Sequence, residues 1–161
     1  MQIEPRTNDD HELLALVAAQ QRELAEAEAA ADGFDGGYAL HDDVRFLALR
    51  DGDAVVAVGA IQAVDADTAE IKRMYVVPTA RGKGYGRAML GALERDAAAR
   101  GHTRTRLETG SYLPVALGLY RSAGYRAIPA YGEYAGNPDS RCFEKDPIDV
   151  TMAVHERAGR P

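Results

Sequence analysis

The chain has 161 residues, 46% of them hydrophobic and 27% charged, with a net charge of −6, a composition that suits one globular domain with a core of its own. No apolar run approaches the ~20 residues needed to cross a bilayer, and Met1-Gln2-Ile3-Glu4-Pro5 lacks the basic and apolar parts of a secretory leader. The acidic balance argues against nucleic acid as the main partner, and a single cysteine, Cys142, excludes an internal disulfide and agrees with a reducing cytoplasm.

The first element expected is a helix starting near Asp9, where Asp9-Asp10-His11-Glu12 has the form of a capping box, and running through an Ala-, Glu- and Gln-rich body to about Ala31. Asp32-Gly33 stops it, and Gly33 to Asp43 reads as a loop. The period then changes. Val44 to Leu49 and Ala54 to Ile61 read as strands joined by an Asp51-Gly52 hairpin turn, and Glu70 to Val77 is a third strand that Pro78 ends. From Gly84 to Arg100 the spacing of Tyr85, Met89, Leu93 and Ala97 is helical, with Gly101 as its stop. Thr103 to Glu108 is a strand, and Ser111 is expected to cap a helix that carries Pro114 in its first turn and ends at Gly124. Tyr125 to Tyr131 and Arg141 to Lys145 form a final antiparallel pair. The order of elements suggests a mixed sheet with helices on its faces.

The segment Val77-Pro78-Thr79-Ala80-Arg81-Gly82-Lys83-Gly84-Tyr85-Gly86-Arg87 carries the chemistry. A strand ends, three alternating glycines follow and a helix begins. Glycines let a ligand approach the backbone, and the free N–H groups of a helix start attract an anion. Arg81, Lys83 and Arg87 add positive charge, so a phosphorylated ligand is the natural guest. A phosphate loop of the Walker type would need Ser or Thr after Lys83, where Gly84 stands. A dinucleotide fingerprint would need its third glycine one residue later than Gly86.

With these residues the chain resembles the GCN5-related N-acetyltransferase (GNAT) superfamily, whose acetyl-CoA signature Arg/Gln-x-x-Gly-x-Gly/Ala is matched by Arg81-Gly82-Lys83-Gly84-Tyr85-Gly86. The strand Met74-Tyr75-Val76-Val77-Pro78 and the downstream Leu119-Tyr120-Arg121-Ser122-Ala123-Gly124-Tyr125 fall at family-like spacings. Glu70-Ile71-Lys72-Arg73-Met74, Leu107-Glu108-Thr109-Gly110 and Ser140-Arg141-Cys142-Phe143-Glu144-Lys145 look like a bacterial small-molecule branch. The resemblance implies an α/β (α+β) fold with a mixed, mostly antiparallel sheet of about six to seven strands and about four helices. It implies an N-acetyltransferase domain over residues 1–146, followed by a tail, 147–161, of unassigned structure.

What the resemblance further implies is a transfer of the acetyl group of acetyl-CoA to a primary amine of a small molecule, by direct attack in a ternary complex. Backbone N–H groups from Arg81 to Arg87 (Arg81, Gly82, Lys83, Gly84, Tyr85, Gly86, Arg87) would hold the CoA pyrophosphate, and the strand edge at Met74, Tyr75 and Val76 would pair with the pantetheine arm. The Val76 N–H would stabilise the oxyanion. Tyr120 would protonate the departing thiolate, because Leu113, Ala116, Leu117 and Tyr120 share a helical face expected to turn toward that arm. Taken alone, Tyr120 reads as a core tyrosine of an amphipathic helix.

Glu70 is a candidate general base and equally a solvated strand carboxylate; Glu108 is a second candidate base. Phe34, Tyr38, Tyr131 and Tyr134 are expected to wall the acceptor pocket or to lie in surface loops or the core. His11, His41, His102 and His155 have no spacing that suggests a metal or a triad, and Cys142 reads as a buried bystander, so no metal is expected. The expected setting is cytoplasmic, as a monomer or homodimer, with no membrane or nucleic-acid partner. Two other readings stay open: a non-catalytic acyl-CoA sensor of the same fold, and an acetyltransferase for protein lysines or N-termini.

Overall fold

A computed structural model describes residues 1–30, 40 and 43–148. Its seven strands are β1 (Gln2–Arg6), β2 (Arg45–Asp51), β3 (Ala54–Ala63), β4 (Thr68–Val76), β5 (Arg104–Gly110), β6 (Arg126–Ile128) and β7 (Ser140–Lys145). They form one sheet in the order β1-β2-β3-β4-β5-β7-β6. Only the β4–β5 pair is parallel; every other neighbouring pair is antiparallel. Three helices accompany the sheet among the described residues, α1 (His11–Ala30), α2 (Tyr85–Ala99) and α3 (Pro114–Ser122), fewer than the four expected.

Local chemistry explains where these elements begin and end. Asp10, not Asp9, caps α1: its Oδ1 accepts the Leu13 N–H at 2.8 Å, while Asp9 accepts the Thr7 hydroxyl at 2.6 Å. Ser111 does not cap α3. Leu113 holds that position, with Pro114 opening the helix, and the Ser111 N–H instead donates to the Asp139 carbonyl at 2.8 Å. The strand β1 was not expected from the sequence. It is an edge strand in which Pro5 opposes Leu47, a place where proline's missing N–H disturbs no inner ladder.

The helices cover opposite faces. On one, Met89, Leu90 and Leu93 of α2, with Tyr120 and Tyr125, pack on Leu47, Leu49, Ile71, Leu107 and Phe143. On the other, Leu13, Leu16 and Val17 of α1 pack on Phe46, Ala48, Val58 and Ala60. Each such Leu or Phe contributes roughly 1.5–3 kcal/mol of burial. The folded body reaches past Lys145, because Ile148 is buried in the first cluster and its N–H donates to the Thr103 carbonyl at 2.8 Å. No described helix is long and apolar enough to cross a membrane.

Two irregularities open the sheet. The parallel ladder of β4 and β5 stops at Ile71↔Leu107, although both strands continue, to Val76 and to Gly110. Beyond that point they part and leave a cleft. In the same stretch β4 bulges: Val58 opposes Tyr75 and Ala60 opposes Lys72, so Gly59 faces both Arg73 and Met74. Arg73 absorbs the extra residue with φ of 55°, a left-handed conformation that costs a side-chain-bearing residue energy. Gly59 is needed on the other face, since a Cβ there would lie 2.7 Å from Leu93 of α2.

Candidate active site

One side of the cleft is a groove of about 560 Å³. Its floor is Met74, Tyr75 and Val76, its far end is the glycine loop, and its wall is Leu113 with Ala116, Leu119 and Tyr120 of α3. Gly82 and Gly84 have φ of 79° and 85°, and a Cβ on either would meet nothing within 4 Å. The space beside them is therefore open to a ligand, and the first-turn N–H groups of α2, which lack helical partners, begin at that same spot. Val77 donates its N–H to Val56 at 2.9 Å, so alternation along the ladder turns the Val76 N–H the other way, toward the groove.

Two side chains fix this floor. Arg81 donates from Nε to the Val76 carbonyl at 3.0 Å, pairs with Glu23 at 2.8 Å and lies over the Tyr75 ring at 5.5 Å. It ties loop, strand and α1 together. Gln20, itself buried, donates to the Met74 carbonyl at 2.9 Å. Of the expected donor-site residues, all but Lys83 line the groove; Lys83 is exposed outside it. Tyr85 and Arg87 bond their side chains to Asp51 and Ser122. Leu117 turns to the hydrophobic core and does not share the groove with Tyr120.

The other side of the cleft is a polar cavity of about 230 Å³. Glu28 of α1, Lys72 and Arg73 of β4, Glu108 of β5, Tyr112, Tyr134 and Asp139 are among its walls. Groove and cavity share Gln20, Leu24, Met74, Leu113, Ala116 and Tyr120, so Tyr120 stands where the two meet. Its ring packs edge-on against Tyr125 at 6.0 Å and tilted against Phe143 at 6.3 Å. The hydroxyl has no hydrogen-bond partner among the described residues. Burial, with the negative charge of Glu108 as a lesser cause, pushes Tyr120 up to about 12, so it keeps its proton at neutral pH.

The two candidate bases differ sharply. Glu70 is only 4% exposed, and its carboxylate lies 3.1 Å from Lys72 and 3.5 Å from Arg106. It also accepts the Tyr134 hydroxyl at 3.2 Å, and it lines neither groove nor cavity. Glu108 lines the cavity. Burial lifts its carboxyl to about 7, with Glu70 and Glu28 adding repulsion and Lys72 opposing it. A carboxylate so placed exchanges protons near neutral pH.

Of the expected acceptor-site tyrosines, Tyr134 lines the cavity. Tyr131 packs behind it instead, edge-on to Tyr134 at 5.4 Å and with Arg106 stacked 3.8 Å above its ring. Phe34, Tyr38, His41 and His155 lie outside the described residues. Cys142 is buried. Glu28, which accepts the Tyr112 hydroxyl at 2.8 Å, was not foreseen, nor were Gln20, Lys72, Arg73 and Asp139. A signal for part of this set existed: Gln20, Leu24 and Glu28 recur every fourth residue and so share one face of α1.

Comparison with known proteins agrees with this architecture. The family model of the acetyltransferase (GNAT) family matches residues 10–125. A protein of Azospirillum brasilense named IAA acetyltransferase is 42% identical over 105 residues, 64% of this chain and 68% of that one. The crystal structure of a candidate acyl-CoA N-acyltransferase from Klebsiella pneumoniae superposes with a TM-score of 0.78 at 32% identity, covering 91% of this chain and 97% of that one. A GNAT acetyltransferase from Elizabethkingia anophelis, solved with acetyl-CoA bound, shares the fold at a TM-score of 0.67 and 16% identity, covering 90% and 97%. The sheet that splays between β4 and β5, the glycine loop that caps α2 and the family match together place this chain in the GNAT family of acetyltransferases.

Proposed function

We propose that the protein transfers the acetyl group of acetyl-CoA to a primary amine of a small molecule, by direct attack within a ternary complex. The observation that carries this reading is the position of Tyr120 at the junction of an apolar groove and a polar cavity. The groove fits the donor: open space beside Gly82 and Gly84, a helix start for the pyrophosphate, and a free strand edge for the pantetheine arm. The donor supplies the acyl group as a thioester. A relative whose name makes it an IAA acetyltransferase supports a small-molecule acceptor.

Glu108, rather than Glu70, takes the proton that the acceptor's ammonium must lose, since it faces the cavity while Glu70 is enclosed by Lys72, Arg106 and Tyr134. The Val76 N–H donates to the acyl oxygen. Tyr120 Oη gives its proton to the sulfur as the C–S bond breaks, the nitrogen newly bonded to the acyl carbon releases its second proton to solvent, and solvent relays the proton held by Glu108 back to Tyr120, so that each turnover frees one proton. Gln20 and Arg81 hold the Met74 and Val76 carbonyls, and so keep the bulged strand aimed.

The test is thiol release and product mass with acetyl-CoA across amino acids, polyamines, aminoglycosides and peptide N-termini. Turnover on a small amine supports the proposal. Tight CoA binding without turnover across the panel would make the chain a sensor, and turnover on peptides alone would make proteins its acceptors.

A further inference from the structure

The acceptor cavity is bipolar. Its β4 side presents Lys72 and Arg73, and Glu108 of β5, Glu28 of α1 and Asp139 present carboxylates. Lys72 lies 3.1 Å from Glu70 and 3.7 Å from Glu133, and Arg73 has interactions of its own. Arg73 is different in kind. It occupies the bulge with φ of 55°, a conformation that glycine adopts without penalty and arginine does not. It is half-buried, with Glu133 and Tyr134 as charge neighbours, and it stands one residue before the Met74–Val76 edge that floors the donor groove. Strain retained by a charged residue at the rim of a site points to work done by its side chain.

We propose that the acceptor is a zwitterion, an amine that also carries a carboxylate, and that Arg73 is the residue that selects it. This rests on the acetyl-transfer reading of the same cavity. The guanidinium takes the carboxylate, as its planar fork suits it to do, and the amine is left facing Glu108. Arg73 and Glu108 sit on the two strands that splay, so a short acceptor such as an α- or β-amino acid spans the cleft with its amine toward Tyr120. A cation without a carboxylate meets the acidic side of the cavity but leaves Arg73 without this partner.

The test is equilibrium binding to the CoA-loaded protein of the twenty L-amino acids and β-alanine, each against its carboxamide, in wild type and in Arg73→Gly. The amide keeps size and amine and removes only the negative charge. Glycine suits the positive φ, so the variant should fold with a melting temperature equal to or above that of wild type. At least one acid should bind tenfold or more tighter than its amide, and Arg73→Gly should reduce that gap to about twofold or less. Acids and amides binding alike throughout the panel, or a preference for the acid that survives Arg73→Gly, would overturn the proposal. Because binding is read without turnover, it stands or falls apart from the transfer assay: turnover of amines with no preference for the acid would sink the zwitterion and leave acetyl transfer intact.

Discussion

The two halves of the cleft are built in different ways. The floor and far end of the proposed donor groove are made largely of backbone: a strand edge, two left-handed glycines and a helix start, all within residues 74–87. The proposed acceptor cavity is made of side chains from α1, β4, β5 and the 134–139 loop, which only the folded sheet brings together. A site made of backbone has one answer to one ligand. A site made of side chains can be altered residue by residue, and on the proposed reading specificity is set on that side.

The largest effect should come from breaking the groove. Gly86→Glu places a carboxylate at the helix start, where the added Cβ would lie 3.4 Å from Leu119. CoA affinity measured by calorimetry should fall by roughly 100-fold or more, from repulsion of the pyrophosphate and lost space. Gly84→Asp should act similarly and add strain, because Gly84 has φ of 85°. Unchanged affinity in a folded variant would misplace the donor.

On the cavity side, Glu108→Gln should lower kcat by roughly 10²–10⁴-fold while leaving CoA binding intact. In wild type, kcat/KM should rise with pH as Glu108 loses its proton near 7, and the variant should lose that limb. Stability should move the opposite way. The folded carboxyl binds its proton more tightly than the unfolded one, so wild-type stability falls as pH rises from about 4.5 to about 7. Glu108→Gln should therefore be more stable than wild type at pH 8, by on the order of 1–3 kcal/mol, and should lose that advantage by pH 4.

Glu70→Gln sharpens the contrast. It removes the nearer and more buried of the two carboxylates paired with Lys72, whose side chain is 6% exposed beside an equally buried Glu70, so about 3 kcal/mol of stability should go in a denaturant titration. The rise of kcat/KM with pH near 7 should stay. Its loss would return the role of base to Glu70. The smallest effect belongs to Gln20→Ala, which removes one hydrogen bond to Met74. It should cost about 1 kcal/mol in melting experiments, with kcat reduced several-fold as the bulge loosens.

The same contrast explains what the sequence reveals. The hairpin at Asp51-Gly52, the strands around it, the periodic α2 and the glycine loop are local patterns, and each is legible because its cause lies within a few residues. The strand β1 was missed because Gln2 to Arg6 contains Pro5 and has no clear alternation; its strand character comes from pairing with β2. Ser111 reads as a cap from its type alone, yet its N–H donates to the carbonyl of Asp139, far along the chain. The choice between Glu70 and Glu108 was open for the same reason. Both are strand carboxylates in sequence, and only the neighbours contributed by β5 and the 131–134 segment separate them.

The most direct measurement of the central claim, that Tyr120 links the two halves chemically, is CoA affinity and thiol release on one preparation of Tyr120→Phe. The ring is retained, so the Kd for CoA should change less than about twofold and stability by around 1 kcal/mol or less. Turnover with acetyl-CoA and an accepted amine should fall by roughly 10²-fold, or about tenfold at the least, since a thiolate leaves readily near neutral pH. Wild-type turnover in a variant with a lowered melting temperature would make Tyr120 a packing residue and remove it from the reaction.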